Sequence, residues 1–262
     1  GGAVDLSGDL TIGASSPFSA TSAITALGSV ITGGGSTTLD GTVDASAIEV
    51  SGFAPLTLNG ATTAGQLTVD SGTILGSGTL DVSGTSSLSG ATFSRPGNTT
   101  LTGAATGTGA TFFNSGTTTF AGGLNLGQLT VDNGTVRVPV ASSVTDLTVS
   151  GGALLNDALT QVSGSFTWTT GQIGGDPTGT LEVSGTASGL IETAGTKRLS
   201  GGTLAIESNF GNPTVWSDGD ILLTGGARME VLGGRFIAAG DADAIAPDIG
   251  NTGTESFGVT GG

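Results

Sequence analysis

The stretch Gly65-Gln-Leu-Thr-Val-Asp-Ser-Gly-Thr-Ile74 decides the fold, because it returns further along the chain as Gly127-Gln-Leu-Thr-Val-Asp-Asn-Gly-Thr-Val136. A second pair of similar phrases is Gly78-Thr-Leu-Asp-Val82 and Gly179-Thr-Leu-Glu-Val183. The spacings within both pairs divide into units of about 20 residues, and a period of that size is typical of solenoids. The sequence therefore predicts a chain of stacked, similar coils.

Within each unit the apolar residues alternate with polar ones, as in Leu67/Val69 and Leu80/Val82. This period of two indicates a strand with one buried and one wet face. Small residues such as Ser71-Gly72 follow at once, and glycine permits a sharp turn there. Short strands of this kind pair with their copies in neighbouring coils, about 4.8 Å away. We expect an all-β protein, a single-stranded right-handed parallel β-helix (β-solenoid) with about 20 residues per coil.

The alternative fold is an antiparallel sandwich or barrel, which also consists of short strands and frequent turns. Such a fold does not require one fixed period. Stacked coils also predict ladders of like residues, and Phe93 and Phe113 lie one unit apart, with Phe112 and Phe120 close to that row. Phe166 and Trp168 alternate with Thr, so we expect both to point into the core.

The solenoid pattern extends over residues 1–239, and residues 240–262 differ from it. The second segment lacks the alternation with Thr, so we expect a C-terminal loop, cap or linker. The chain starts with Gly-Gly and has no visible signal peptide, which suggests a mature or excised piece of a longer exported protein.

Composition excludes several partners. The chain has 262 residues with 50 Gly, no Cys and a net charge of −15. A polyanion repels nucleic-acid phosphates and anionic lipids, so we expect no nucleic-acid partner. No apolar run is long enough to span a membrane, so we expect no membrane insertion of this segment. Acidic, cysteine-free repeats rich in Gly, Ser and Thr are common in exported bacterial surface proteins, which suggests an extracellular or cell-surface location.

The amino-acid composition excludes most common types of catalytic site. The chain has no His and no Cys, which excludes the usual Ser/His/Asp and Cys/His nucleophiles and zinc sites built on His or thiolate. Paired carboxylates that act on polysaccharides are the remaining possibility. The candidates are Asp218 and Asp220 with Arg228, and Asp176 with Glu182, but neither set forms a motif. We therefore predict no catalytic residue, no cofactor site and no enzyme.

Calcium is the metal that the acidic residues favour, because zinc sites built on His or thiolate are excluded. Asp241, Asp243 and Asp248 offer hard oxygen ligands within one short segment, and Asp218-Gly-Asp220 is a second candidate. The glycine-rich nonapeptide of calcium-binding β-rolls is absent. Solvated surface acids therefore remain the simpler interpretation. The alternative is that Asp241, Asp243 and Asp248 bind a calcium ion.

The repeated Gly-x-Leu-x-Val-x-x-Gly phrases at residues 65–72 and 127–134 resemble the β-helical stalks of bacterial autotransporter passengers and filamentous-haemagglutinin-like adhesins. The resemblance covers roughly residues 35–235. It implies a secreted or surface-anchored rod, a stalk that holds something away from the cell or adheres to something such as surface glycans. We expect a non-catalytic role. Open solenoid ends would carry strand edges that can pair between molecules, so self-association through these ends into a filament is a related interpretation. The alternative is a β-helix enzyme or binding module that acts on polysaccharide.

Overall fold

The computed structural model describes residues 3–13, 17–53, 55–184, 188–207, 211–233, 235–239, 245–247 and 256–259. These residues form strands and turns and contain no helix. The chain divides into two compact units, unit 1 (Gly1–Leu126) and unit 2 (Gly127–Gly262). Each unit is built from stacked coils of parallel strands, which confirms the predicted parallel β-solenoid.

The strands are short and follow one another at close intervals. The first fifteen strands are β1 (Val4–Leu6), β2 (Leu10–Ile12), β3 (Phe18–Ala20), β4 (Ile24–Thr32), β5 (Thr37–Leu39), β6 (Val43–Ser51), β7 (Pro55–Leu58), β8 (Thr62–Asp70), β9 (Thr73–Leu75), β10 (Leu80–Val82), β11 (Ser86–Ser89), β12 (Ala91–Ser94), β13 (Thr99–Leu101), β14 (Ala105–Ser115) and β15 (Thr117–Phe120). The remaining strands are β16 (Leu124–Val131), β17 (Thr135–Val138), β18 (Ser142–Asn156), β19 (Leu159–Gly174), β20 (Thr180–Val183), β21 (Ser188–Ile191), β22 (Lys197–Ser200), β23 (Thr203–Glu207), β24 (Thr214–Trp216), β25 (Ile221–Thr224), β26 (Arg228–Gly233), β27 (Phe236–Ala238), β28 (Ile245–Pro247) and β29 (Ser256–Val259).

Unit 1 has three faces per coil. Face 1 contains β1, β10, β13, β15 and the first part of β4, β6 and β8. Face 2 contains β2, β11, the later part of β4, β6 and β8, and the start of β14. Face 3 contains β3, β5, β7, β9, β12 and the end of β14. Pairs such as Leu56–Ile74, Ile48–Leu67 and Phe93–Phe113 join neighbouring coils about 19 residues apart, close to the predicted period.

Unit 2 also has three faces. Face A contains β17, β22, β25, β28 and the ends of β18 and β19, and face B contains β20, β23, β26, β29 and the starts of β18 and β19. Face C contains β21, β24, β27 and the middle of β18 and β19. The coils lengthen along the chain: Val136 pairs with Leu154, Ile173 with Leu199 and Met229 with Phe257. The added residues lie in the turns, because the strands keep their pairing.

The interior of each unit is mainly apolar, as the alternation predicted, with a few buried polar residues. The buried side chains include those of Leu67, Val69, Leu80 and Val82. Along β8, buried and exposed side chains alternate on both sides of the corner at Gly65. The predicted aromatic row is confirmed in unit 1: the rings of Phe93 and Phe113 stack with centroids 4.9 Å apart, and Phe120 meets Phe113 edge-on at 5.7 Å. Phe166 and Trp168 in unit 2 are fully buried, as expected.

Glycines stack at the corners between faces, where the backbone of one coil lies directly on that of the next. A Cβ on Gly78 would overlap the carbonyl oxygen of Gly60, and a Cβ on Gly97 would overlap that of Gly78. Only a residue without a side chain fits such an approach. The high glycine content therefore follows from tight corners repeated in successive coils.

Two strands lie within the segment 240–262 that the sequence set apart. β28 pairs in parallel with β25, and β29 pairs in parallel with β26. Whether this segment acts as a loop, cap or linker stays a prediction.

Candidate functional site

The proposed calcium ligands Asp241, Asp243 and Asp248 lie outside the described residues. Within the part of the chain that the structure describes, no group of three or more His, Cys, Asp or Glu residues is arranged to hold a metal ion. Calcium binding by the three aspartates stays a prediction.

Several residues considered for acid–base chemistry have hydrogen-bond or ion-pair partners outside the proposed sets. Arg228 forms an ion pair with Glu230, and the carbonyl oxygen of Asp218 accepts a hydrogen bond from the Lys197 ammonium at 3.0 Å. Glu182 on face B accepts a hydrogen bond from Gln161 at 3.1 Å, whereas Asp176 bonds to Thr178 beside face A. Asp176 and Glu182, proposed as a pair, therefore have separate hydrogen-bond partners, Thr178 and Gln161.

A concave feature, which we call the trough, lies on face A of unit 2. It consists of two adjoining depressions of about 470 and 420 Å³ that share Gln172. The first is lined by Asn133, Gly134, Thr135, Gly151, Gly152, Ala153, Thr170, Gly171, Gln172, Thr196 and Arg198. The second is lined by Arg137, Leu155, Asp157, Gln172, Gly175, Asp176, Pro177 and Ser200.

The trough crosses four successive coils. Thr135 pairs with Ala153, Ala153 with Gln172, and Gln172 with Arg198, so these four residues form one outward row. At about 4.8 Å per coil the row is roughly 14 Å long. The inward neighbours, which include Val136 and Leu199, are buried in the core and fix the direction of the outward side chains.

Glycines at one corner leave one side of the trough without side chains. A Cβ on Gly152 would overlap the carbonyl oxygen of Gly134, and a Cβ on Gly171 would overlap that of Gly152. Gly171 also has a φ of 91°, which disfavours any residue with a side chain. Turns around Pro177 and Thr196 line the trough, and they belong to the longer coils of unit 2.

One end of the trough carries a connected polar network. The Arg137 guanidinium donates to Asp157 Oδ2, with Nη2 at 2.6 Å and Nε at 2.8 Å. The other oxygen, Asp157 Oδ1, accepts the backbone N–H of Asp176 at 3.1 Å. Asp176 Oδ1 accepts both the hydroxyl and the backbone N–H of Thr178. These bonds, together with the Arg137 charge, hold the pKa of Asp176 below its ordinary value of 3.8.

The centre of the trough presents planar polar side chains. Gln172 is partly exposed, and its amide makes no hydrogen bond with the described part of the chain. Arg198 lies one coil further along the same row and is likewise partly exposed. An amide can both donate and accept, and a guanidinium donates in a fixed planar fork. The arrangement can therefore bind a polar ligand without any rearrangement of the core.

Sequence reasoning missed the trough residues, in particular Arg137, Gln172 and Arg198. One signal was available, because the regular rhythm breaks between Gln172 and Arg198, which pair across a longer stretch of chain than the pairs of unit 1. Extra residues in a solenoid lie in turns, and turns of unequal length create concave surfaces. The sequence does not show which face these turns border.

Among the described residues there is no helix with the length and apolar character of a membrane span. Comparison with protein families, curated proteins and solved structures finds no match for this chain. The resemblance to autotransporter passengers and filamentous-haemagglutinin-like adhesins thus rests on the repeat pattern alone, and the structure establishes the β-solenoid fold.

Proposed function

We propose that the chain is an extracellular bacterial β-solenoid with a structural or adhesive role, either a surface stalk or a subunit of a self-assembling filament, and that it is not an enzyme. The observation that carries this proposal is the regular stacking within each unit. Successive coils of unit 1 keep a nearly constant register, and their inward side chains are mostly apolar, with Thr such as Thr62 and Thr99 among them. Such a scaffold gives a stable, repetitive surface.

Composition supports an extracellular location. The chain lacks Cys and has only six basic residues, of which Arg95 and Lys197 are buried. Proteases that cut after Lys or Arg therefore find few accessible sites. The resemblance to secreted bacterial stalks points the same way.

The non-catalytic assignment draws support from the acidic residues themselves. A carboxyl group that acts as a general acid near neutral pH needs a raised pKa. The pKa of Asp176 is lowered instead by its bonds to Thr178. Glu182 and Arg228 are likewise held by Gln161 and Glu230.

Labelling of intact cells tests the location. An antibody against the purified chain is applied to unbroken cells of the source organism, and the culture medium is probed in parallel. We expect signal on the cell surface or in the medium, with a cytoplasmic marker as the control. Signal that requires cell lysis would overturn the extracellular role.

Electron microscopy of the purified chain separates the two structural roles. Ordered fibres would show that the chain self-associates, and the strand edges at the solenoid ends would be the expected contact. Dispersed particles would assign a stalk segment. Release of reducing ends from a polysaccharide by the purified chain would instead favour the polysaccharide-acting enzyme and overturn the non-catalytic proposal.

A further inference from the structure

We propose that the trough on face A of unit 2 binds an extended, uncharged oligosaccharide that runs across the coils. This inference rests on the proposed extracellular role, in which the chain meets cell-surface or matrix glycans. The trough is then the surface through which the solenoid adheres to glycans.

The lining of the trough matches the chemistry of a sugar chain. Vicinal hydroxyl groups pair with planar polar side chains, and the trough presents the Gln172 amide, the Arg198 guanidinium and the Arg137–Asp157 pair. Leu155 and Pro177 add a small apolar surface for the C–H face of a ring. Ligand sites of this type combine a concave surface with a few fixed polar groups.

The hydrogen bonds that already hold the polar side chains at one end of the trough favour ligand binding. Arg137, Asp157 and the backbone of Asp176 are already joined by hydrogen bonds. Their side chains therefore lose little further freedom when a ligand binds, which reduces the entropic cost of association. The strands beneath are paired on both sides in β18 and β19, so the floor is rigid.

Charge argues against a polyanionic ligand. Arg137 is neutralised by Asp157, and Asp176 lies beside them, so this end of the trough offers an anionic chain no net positive charge. The whole chain carries a net charge of −15, which repels nucleic acids and acidic glycans. A peptide strand finds no unpaired backbone edge where the described β18 and β19 pair in the middle of face A. An uncharged, hydroxyl-rich chain is not repelled by the net charge and does not need an unpaired backbone edge.

The test is a titration of the complete chain of 262 residues with maltohexaose, cellohexaose, xylohexaose, mannohexaose and chitohexaose, with hexagalacturonate as the acidic arm. Saturation-transfer NMR detects binding, and calorimetry measures the dissociation constant. We expect at least one neutral hexasaccharide to bind in the micromolar to millimolar range. Loss of one neutral hydrogen-bonding side chain in Gln172→Ala should weaken that binding roughly threefold to tenfold.

The matched control is Gln161→Ala, which makes the same change on the same strand but on face B. It should leave the dissociation constant within about twofold of the parent value, because its side chain lies away from the trough. A second variant, Ala153→Leu, fills the floor of the trough and should also weaken or abolish binding. Far-UV circular dichroism verifies that each variant keeps its strands.

Three results would overturn the proposal: no binding of any neutral hexasaccharide at millimolar concentration, binding of hexagalacturonate alone, or binding that neither Gln172→Ala nor Ala153→Leu changes. None of these results bears on the surface labelling of cells, so the extracellular role and the oligosaccharide site fail separately.

Discussion

Two cations are buried inside the solenoid units, and both bind backbone carbonyl groups at the corners of coils. Lys197, the single lysine of the chain, donates from its ammonium to the carbonyl oxygens of Thr193, Gly195 and Asp218 at 2.9, 3.1 and 3.0 Å. Arg95 donates to Thr99 and to the carbonyl oxygen of Gly78. Burial lowers the pKa of Arg95 to about 10, so it remains charged at neutral pH. Lys197 thus joins backbone segments that lie between strands, and Arg95 joins the turn at Gly78 to the start of β13.

Lys197→Met tests this role. The substitution leaves three partly buried carbonyl oxygens without their charged donor, and we expect the free energy of unfolding to fall by about 3 kcal/mol. The adjacent residue gives the control: Arg198 lies on the outward side of the same strand, so Arg198→Met should cost less than about 1 kcal/mol. Urea unfolding measures both values, and equal losses would contradict the structural role of the ammonium.

Asp176 gives a pH-dependent prediction. The hydroxyl of Thr178, its backbone N–H and the Arg137 charge lower the pKa of the folded-state carboxyl below 3.8. A lowered pKa stabilises the fold above the unfolded value, and this stabilisation is lost as pH falls through the folded value. NMR titration of the Asp176 carboxyl should therefore give a midpoint below 3.8, and Thr178→Ala should raise it. A midpoint unchanged by Thr178→Ala would show that the hydroxyl is not the cause.

At the scale of the element, adjacent residues of β14 differ in their environment. Phe113 is buried and stacks on Phe93, whereas the side chain of Phe112 is 38% exposed. We expect Phe113→Ala to lower the free energy of unfolding by about 3–5 kcal/mol, because it leaves a cavity within the aromatic row. Phe112→Ala should cost less than about 1 kcal/mol. Denaturant unfolding separates the two, and a larger loss for Phe112→Ala would contradict the assigned strand register.

The outward ladder of face 1 alternates between acid and hydroxyl from coil to coil. Asp44 lies beside Thr63, and Thr63 beside Asp81, with the Thr63 hydroxyl donating to Asp44 Oδ1 at 2.7 Å. This alternation doubles the distance between carboxylates from about 4.8 Å to about 9.6 Å. It reduces the repulsion that like charges on neighbouring strands would otherwise produce.

Thr63→Asp would place carboxylates on three successive coils. We expect a loss of about 1–2 kcal/mol in the free energy of unfolding, from repulsion and from the missing hydrogen bond. Part of the loss should be recovered at high NaCl concentration, because added salt shortens the distance over which the carboxylates repel one another. Thr57→Asp is the control, because its paired neighbours are Thr38 and Leu75. An equal loss at Thr57 would point to strand propensity and not to charge.

The strands were predictable from the sequence because alternation and turn residues act locally, but the position of each strand in the coil was not. The phrase Gly-x-Leu-x-Val occurs at residues 65–69 on face 2 and at residues 78–82 on face 1 of the same unit. It therefore marks a strand that follows a turn, on whichever face the strand lies. Like phrases need not be a whole number of coils apart, although the coil length derived from them is close to the register of unit 1.

The trough was beyond sequence reasoning for a related reason. Gln172 and Arg198 are neighbours only because the turns between them contain residues that the coils of unit 1 lack. Alternation shows that both side chains point outward, as the partly exposed positions confirm. It does not show which outward residues share a face, because that depends on the length of every intervening turn.

For the whole molecule, the net charge of −15 adds to the conformational entropy that opposes folding. The chain has 21 acidic and six basic residues, and two of the basic residues, Arg95 and Lys197, are buried among backbone groups. Carboxylates on stacked coils therefore lie within a Debye length of one another at low salt, about 30 Å at 0.01 M. Unfolding lets these charges move apart, so self-repulsion lowers the stability of the folded chain.

Salt should consequently stabilise this protein. We expect the thermal midpoint, followed by circular dichroism, to rise between about 10 mM and about 300 mM NaCl, and to rise equally in KCl because screening does not depend on the cation. At constant ionic strength, millimolar CaCl₂ should add a further rise only if a specific site exists, and Asp243→Asn would then remove that extra rise. A midpoint that stays level or falls with NaCl would contradict the conclusion that repulsion among the carboxylates lowers the stability of the folded chain.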